Sequence, residues 1–176
     1  MQVFYTTEKI DSPSFVARAF ACAYPQRDLP LFCKTKSGKP YFENTDDIFF
    51  SITHDGAVTA VAFSAHPVGI DYCAKTPKDI AAFMHRFGSK EERNAVLSAA
   101  DKEGAFKRFW SAKESFVKLT GEGISAIKHC TFTGQTVQNE TTVAHLAFLP
   151  LQNGILALCS EKERELQDIQ IYNVTK

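Results

Sequence analysis

The sequence predicts an α+β fold composed of two halves, each with helix and strands packed together. Strand-like and helix-like segments alternate over the 176 residues, with no low-complexity linker between them. They run strand, helix and two strands up to about Pro67, and then strand, helices and several strands. The 44% of hydrophobic residues suffice for one domain, or for two small halves that share a core. We therefore predict an N-terminal half over residues 1–66 and a C-terminal half over residues 67–176.

The N-terminal half begins with a strand and an amphipathic helix. Alternating residues predict a strand from Gln2 to Thr6. Ser12 followed by Pro13 is typical of a helix start, with Ser12 as the N-cap. The apolar face of this helix is formed by Phe15, Val16, Ala19, Phe20 and Ala23. After a loop punctuated by Pro and Gly, we predict a hairpin with strands at about residues 48–53 and 57–63, joined at an Asp-Gly turn signal.

The C-terminal half begins with a strand at Val68 to Tyr72 and continues with three helices. The first runs from Ile80 to Arg86 and stops near Gly88. Ser89 and Glu92 have the spacing of a capping box, which predicts the start of the second. The remaining elements are a helix at about residues 104–120 that ends at Gly121, and strands at about residues 130–133, 143–149, 155–160 and 169–174.

The last predicted helix carries an acid and several lysines beside an apolar stripe. At 3.6 residues per turn, the stripe contains Phe106, Phe109, Trp110, Phe116 and Val117. Its adjoining edge contains Lys107, Ser111, Glu114 and Lys118, a group that could hold a metal and a phosphate. Glu114 and Lys118 are also spaced as an ordinary i,i+4 salt bridge, which alone is the more common case. Lys113 projects inside the stripe, where it must extend outward or meet a specific anion.

Two further polar residues lie in or beside predicted strands. His54 falls where a predicted strand meets a turn, and Asp71 falls within the strand that follows Pro67. A carboxylate at Asp71 needs a partner or a metal if it faces inward. Each also has an ordinary alternative, a satisfied turn histidine for His54 and an exposed strand-end carboxylate for Asp71.

Composition favours a compact cytoplasmic protein. The 20 basic and 20 acidic residues balance, so no global field favours nucleic acid or membrane, and only local basic clusters such as Lys34, Lys36 and Lys39 remain. The five cysteines are an odd number without a Cys-x-x-Cys pair, which favours reduced thiols over disulfides or a zinc site. No segment approaches 18 apolar residues, and the N-terminus lacks a signal-peptide pattern, so we expect neither secretion nor a membrane span.

Five motifs in order resemble those of the 4'-phosphopantetheinyl transferases, specifically the monomeric Sfp-type branch. Residues 38–40 are similar to the family's Gly-Lys-Pro, and residues 50–56 to its Phe-Asn-Ile-Ser-His-Ser-Gly. Residues 68–71 are similar to Gly-Ile-Asp, and residues 87–92 to Phe-Ser-x-x-Glu. Residues 109–123 are similar to Trp-x-x-Lys-Glu-x-x-x-Lys and its trailing glycines. The ordered set spans roughly residues 38–125, which makes the resemblance specific although Gly-Ile-Asp alone is weak.

This resemblance implies two pseudo-symmetric α+β halves with an active site in the cleft between them, although no internal repeat is visible in the sequence. It also implies a monomer that transfers the 4'-phosphopantetheine arm of coenzyme A to a serine of an apo acyl or peptidyl carrier protein, releasing adenosine 3',5'-bisphosphate. Attack on a pyrophosphate mainly requires an oriented nucleophile and neutralised charge. Mg²⁺ suits that task because it binds one or two carboxylates together with phosphate oxygens.

The resemblance also implies roles for individual residues of the C-terminal half. By motif position Asp71 and Glu114 are the metal ligands. Lys118 would hold a phosphate oxygen, and Lys113 would support that charge or the base. Glu114, or a water on the metal, would take the serine proton.

Lys39, Thr53 and His54 are similar to the family's contacts with the adenosine phosphates of coenzyme A. A donating or cationic His54 beside the 3'-phosphate is favourable because charge-assisted hydrogen bonds are about twice as strong as neutral ones. Ser51 replaces the family's usual asparagine and receives no role. Cys73 departs from the family's usual glutamate and is a poor ligand for Mg²⁺, which puts metal affinity in question more than the reaction itself.

Two other classes of function remain open from the sequence. A catalytically weak or inactive relic of the family would bind coenzyme A or a carrier protein, but could dispense with Asp71 and Glu114, which are both present. A metal-dependent phosphohydrolase would need further acids clustered with Asp71, and no such acidic run is visible.

Overall fold

The computed structural model describes residues 1–175 and confirms a mixed α+β chain. The strands are β1 (Gln2–Thr6), β2 (Phe32–Lys34), β3 (Pro40–Phe42), β4 (Phe49–Asp55), β5 (Val58–Ser64), β6 (Gly69–Cys73), β7 (Thr131–Phe132), β8 (Thr136–Gln138), β9 (Val143–Leu151), β10 (Gly154–Ser160) and β11 (Gln170–Asn173). The helices are α1 (Ser12–Ala23), α2 (Ile80–Phe87), α3 (Lys90–Ser98) and α4 (Lys102–Thr120), with 3₁₀ turns at Ile124–His129 and Glu163–Leu166. Within residues 1–175, no helix combines the length and apolarity needed to cross a membrane.

Two sheets meet along β4 and β6. The first has the strand order β11-β1-β5-β4 and the second has the order β6-β10-β9-β8-β7, while β2 and β3 form a separate hairpin. β11 runs parallel to β1, so a strand from the predicted C-terminal half completes the first sheet. The division near Pro67 therefore separates the two sheets except for β11.

The start of α1 differs from the prediction by one residue. Asp11, not Ser12, is the N-cap, and its Oδ1 accepts the backbone N–H of Ser14 at 3.0 Å. Ser12 is already helical, so Pro13 follows it in the first turn. The capping box of α3 is confirmed, because Ser89 Oγ accepts the N–H of Glu92 and the Glu92 carboxylate accepts the N–H of Ser89.

Three short strands are absent from the sequence prediction. β2, β3 and β8 have three residues each, and in each of them no more than one residue is buried. Strands of this length do not complete an alternating hydrophobic pattern. β2 and β3 nevertheless matter for function, because they bring Lys34 and the segment before Pro40 to the junction of the two sheets.

Helix α4 packs on the second sheet with its backbone close to β6. Phe109, Ala112 and Phe116 are fully buried in this interface. A Cβ atom at Gly69 would overlap the carbonyl oxygen of Ser115, so glycine is required for this approach. Gly121 ends the helix in the left-handed conformation, with φ of 77°.

Candidate active site

A cavity of about 750 Å³ lies at the junction of the two sheets. It is lined by Thr53 and His54 of β4, by Asp71 of β6, and by Glu114 and Lys118 of α4. The structure therefore brings five of the predicted site residues, from both halves, to one cavity.

Asp71 is the centre of the polar contacts in this cavity. Its side chain is 9% exposed, and its Oδ1 accepts hydrogen bonds from Thr53 Oγ1 at 3.0 Å and Lys118 Nζ at 2.7 Å. Lys118 thus pairs with a carboxylate on another element, rather than with Glu114 one turn away on its own helix. The contact joins α4 to β6 in the cavity that Asp71 and Glu114 both line.

Glu114 faces the same cavity, and within residues 1–175 no hydrogen bond or ion pair holds its carboxylate. Burial, and to a smaller extent the nearby Asp71, raise the pKa of Glu114 from 4.5 to about 7, while Lys118 acts in the opposite direction. Two neighbouring carboxylates in a partly buried cavity favour binding of a cation, because a cation would stabilise the charged forms of both Asp71 and Glu114.

The raised pKa of Glu114 predicts a pH-dependent cost to folding without metal. The folded protein binds this proton more tightly than the unfolded chain, so stability should fall as pH rises from about 4.5 to 7 and stay low above pH 7. Glu114→Gln should therefore stabilise the metal-free protein at pH 8 by about 1 to 3 kcal/mol and leave it unchanged near pH 4.5. Urea denaturation at both pH values measures this difference. Equal stability of the two proteins at pH 8 would contradict the environment described for Glu114.

Thr53 and His54 are neighbours on β4 but differ in their surroundings. The Thr53 side chain is buried, and its hydroxyl accepts the N–H of Tyr72 at 3.1 Å while it donates to Asp71. The Thr53 hydroxyl therefore already has both a donor and an acceptor partner within the protein. His54 is exposed at the rim of the cavity, where its imidazole is accessible to a ligand.

Lys39 does not join Thr53 and His54 in the large cavity. Its Nζ donates to the carbonyl oxygen of Leu119 at 2.6 Å, near the C-terminus of α4, where a cation is favoured by the helix dipole. Burial lowers the pKa of Lys39. The residue lines an adjacent cavity of about 260 Å³, which also contacts Glu114 and Lys118.

Lys113 also points elsewhere. It is 1% exposed, and its Nζ lies 2.9 Å from Glu92 Oε2, with weaker contacts to the carbonyl oxygens of Phe87 and Ile127. Of the two possibilities raised by the helical projection, a specific anion is therefore the correct one, and that anion is a side chain of α3. Lys113 is not among the residues that line the large cavity.

The structure adds residues that the motifs do not identify. Lys34 and Lys75 line the large cavity and bring positive charge to it. Lys34 belongs to a basic cluster that is visible in the sequence, whereas nothing near Lys75 distinguishes it there. Cys73 also faces the cavity, where burial, followed by the neighbouring carboxylates of Asp71 and Asp55, raises its thiol pKa to about 12.

Comparison with known proteins is decisive for the family. The model of the 4'-phosphopantetheinyl transferase superfamily matches residues 67–169, more than half of the chain. The chain belongs to this superfamily. The matched residues contain Asp71, Glu114 and Lys118, whereas Lys39, Thr53 and His54 precede the match.

Individual members of the superfamily are similar over the same proportion of the chain. The 4'-phosphopantetheinyl transferase psf-1 of Bacillus pumilus is 40% identical over 105 residues, which cover 58% of this chain and 44% of the relative. The 4'-phosphopantetheinyl transferase Sfp of Bacillus subtilis is 38% identical over 97 residues, covering 53% of this chain and 42% of the relative. The transferase pptA of Paxillus involutus is 33% identical over 121 residues, covering 56% and 46%. The matches thus span less than half the length of these relatives.

The donor set fits a hard divalent cation such as Mg²⁺, although it is small. Asp71 and Glu114 supply carboxylate oxygens, which Mg²⁺ prefers, and this ion commonly takes only one or two protein carboxylates. Within residues 1–175, no group of three or more His, Cys, Asp or Glu side chains is arranged to hold a metal. Phosphate oxygens and waters would have to complete the coordination.

Proposed function

We propose that the protein transfers the 4'-phosphopantetheine arm of coenzyme A to a serine of an apo acyl or peptidyl carrier protein, in a reaction that depends on Mg²⁺ and releases adenosine 3',5'-bisphosphate. The observation that carries this proposal is the cavity of about 750 Å³, which combines an exposed histidine with the pair of carboxylates and a lysine. Its volume is within the range of sites for cofactors and other small molecules. Membership of the superfamily supports the same reaction.

Some residues around the cavity would bind coenzyme A, and others would take part in the transfer reaction. His54, Lys34 and Lys75 would attract the phosphates of coenzyme A at the rim. Asp71 and Glu114 would hold Mg²⁺, which would neutralise the charge that spreads over the pyrophosphate during transfer.

Lys118 would hold an oxygen of the reacting phosphate, with its ammonium oriented by Asp71. Glu114, or a water on the metal, is the candidate for accepting the serine proton; the pKa of about 7 for Glu114 belongs to the metal-free site. Lys113 would act on these groups only by fixing α4, because its ammonium is bound to Glu92.

Transfer is tested by incubating the purified protein with coenzyme A, Mg²⁺ and a panel of apo carrier proteins from fatty-acid, polyketide and nonribosomal-peptide synthesis. Intact mass should show addition of one phosphopantetheine group to at least one carrier, and chelation of the metal should prevent it. Binding of coenzyme A without transfer to any carrier would favour an inactive relic of the family instead.

His54→Ala should weaken coenzyme A binding by about 1.5 to 3 kcal/mol, the usual contribution of a hydrogen bond to a charged group. This corresponds to roughly a tenfold to hundredfold increase in Kd. Calorimetry with His129→Ala, which removes an exposed histidine outside the large cavity, is the matched control. Unchanged affinity in a folded His54→Ala protein would identify His54 as an ordinary strand-end residue.

Cys73→Glu should lower the Mg²⁺ concentration needed for half-maximal transfer, because it adds a hard oxygen ligand on the face of β6 that carries Asp71. Cys73→Ala should leave that Mg²⁺ concentration nearly unchanged, since a protonated thiol contributes little to a Mg²⁺ site. A Mg²⁺ titration of the transfer rate compares the three proteins. Loss of activity in Cys73→Ala as severe as that in Asp71→Ala would overturn this account of the metal site.

A further inference from the structure

Side chains, rather than backbone pairing, join the two sheets where β4 and β6 lie side by side. Three side chains of β4 each accept a backbone N–H from β6 or the residue that follows it: Ser51 from Ile70 at 3.2 Å, Thr53 from Tyr72 at 3.1 Å, and Asp55 from Ala74 at 2.8 Å. Each acceptor lies 19 residues before its donor, so the register is constant. We call these three contacts the side-chain ladder.

The ladder provides hydrogen-bond acceptors for backbone N–H groups at the edge of β6. β6 pairs with β10 along one edge, which leaves alternate N–H groups on its other edge without a strand partner. Ser51 and Thr53 are 4% and 3% exposed, so water cannot readily take their place. A buried N–H without an acceptor is unfavourable. The period of two along β4 directs positions 51, 53 and 55 to the same side and allows each to meet one of these groups.

The ladder also passes through the candidate active site. Asp71 lies between Ile70 and Tyr72, two of the residues that donate to the ladder. Thr53 accepts from Tyr72 and donates to Asp71, so the middle contact fixes the metal-binding carboxylate directly. The outer contacts keep β4, which carries His54, in register with β6.

We propose that Ser51 is a positioning residue for the transfer reaction, acting through the ladder on the alignment of His54 with Asp71. Ser51 lines the smaller cavity and is not among the residues that line the larger one, where the phosphates would bind. The inference rests on the proposed function for its effect on rate, whereas the ladder itself can be tested without transfer.

The experiment compares Ser51→Ala, Ser51→Thr and Ser160→Ala. Ser160 is the matched control, because it is also buried and its hydroxyl accepts a backbone N–H, from Lys162 at 3.1 Å, but takes no part in the ladder. Ser51→Ala should accelerate hydrogen exchange of the Ile70 amide and lower kcat by about tenfold to a hundredfold, the effect of a small misplacement of reacting groups. The KM for coenzyme A should stay within about twofold, because no binding group is removed.

Ser51→Thr retains the hydroxyl and should restore both Ile70 protection and kcat, and Ser160→Ala should change neither. Unaltered exchange at Ile70 in Ser51→Ala would show that the contact does not exist in solution. Faster exchange with a kcat equal to that of Ser160→Ala would reduce the ladder to a purely structural role. If the unmodified protein binds coenzyme A but modifies no carrier, the proposed function fails, and the positioning role with it, while Ile70 exchange still decides whether the ladder joins the sheets.

Discussion

Asp71→Asn is expected to lower the transfer rate by about a hundredfold to a thousandfold, the usual loss when one electrostatic group is removed from a reacting centre. Asparagine removes the negative charge that would bind Mg²⁺ and that now orients Lys118. The amide oxygen can still accept from Thr53, so the fold should survive. Transfer rates at saturating coenzyme A and Mg²⁺ measure the effect.

Asp101→Asn provides the matched control for this substitution. Asp101 caps α4 through its contact with the N–H of Gly104, and asparagine caps helices equally well. The control variant should retain its activity. An active Asp71→Asn protein with unchanged Mg²⁺ dependence would remove Asp71 from the metal site.

Lys113→Met is expected to destabilise the protein by about 3 to 5 kcal/mol, the cost of leaving one partner of a buried ion pair uncompensated. The side chains of Lys113 and Glu92 are each 2% exposed, and Met fills the site without supplying charge. Glu92 also accepts the backbone N–H groups of Ser89 and Phe132, so the pair ties α4 to the start of α3 and to β7. Urea unfolding followed by circular dichroism measures the loss.

Lys90→Met is the control for Lys113→Met, because it removes an exposed lysine of α3. It should leave stability within about 0.5 kcal/mol of the unmodified protein. Adding Glu92→Gln to Lys113→Met should recover part of the loss, because the unpaired charge disappears. A Lys113→Met protein of normal stability that has lost transfer activity would return Lys113 to the catalytic residues.

Local patterns in the sequence were sufficient to predict most of the helices and longer strands. The apolar stripe of α4, the hairpin of β4 and β5 and the capping box at Ser89 all depend on residues that are near one another in the chain. The charged residues, by contrast, have partners that are distant in the chain. Lys118 meets Asp71 from 47 residues away, and Lys113 meets Glu92 from 21 residues away, so neither pairing follows from a helical projection.

Lys39 and Ser51 make contacts that no motif predicts. The coenzyme A contact of Lys39, implied by the Gly-Lys-Pro resemblance, stays a prediction, and the structure adds a contact with the carbonyl of Leu119. Ser51, a position without a predicted role, supplies one contact of the ladder. Both depend on how β3 and β4 pack against the C-terminal half, which no local pattern encodes.

A crystal structure of the protein with coenzyme A and Mn²⁺ tests the central claim most directly, because anomalous scattering identifies the position of the metal ion. We expect Mn²⁺ between the carboxylates of Asp71 and Glu114, in contact with the pyrophosphate, and the adenosine phosphates beside His54. Coenzyme A bound outside the cavity of about 750 Å³, or a metal ion that contacts neither carboxylate, would contradict the assignment of this cavity as the active site.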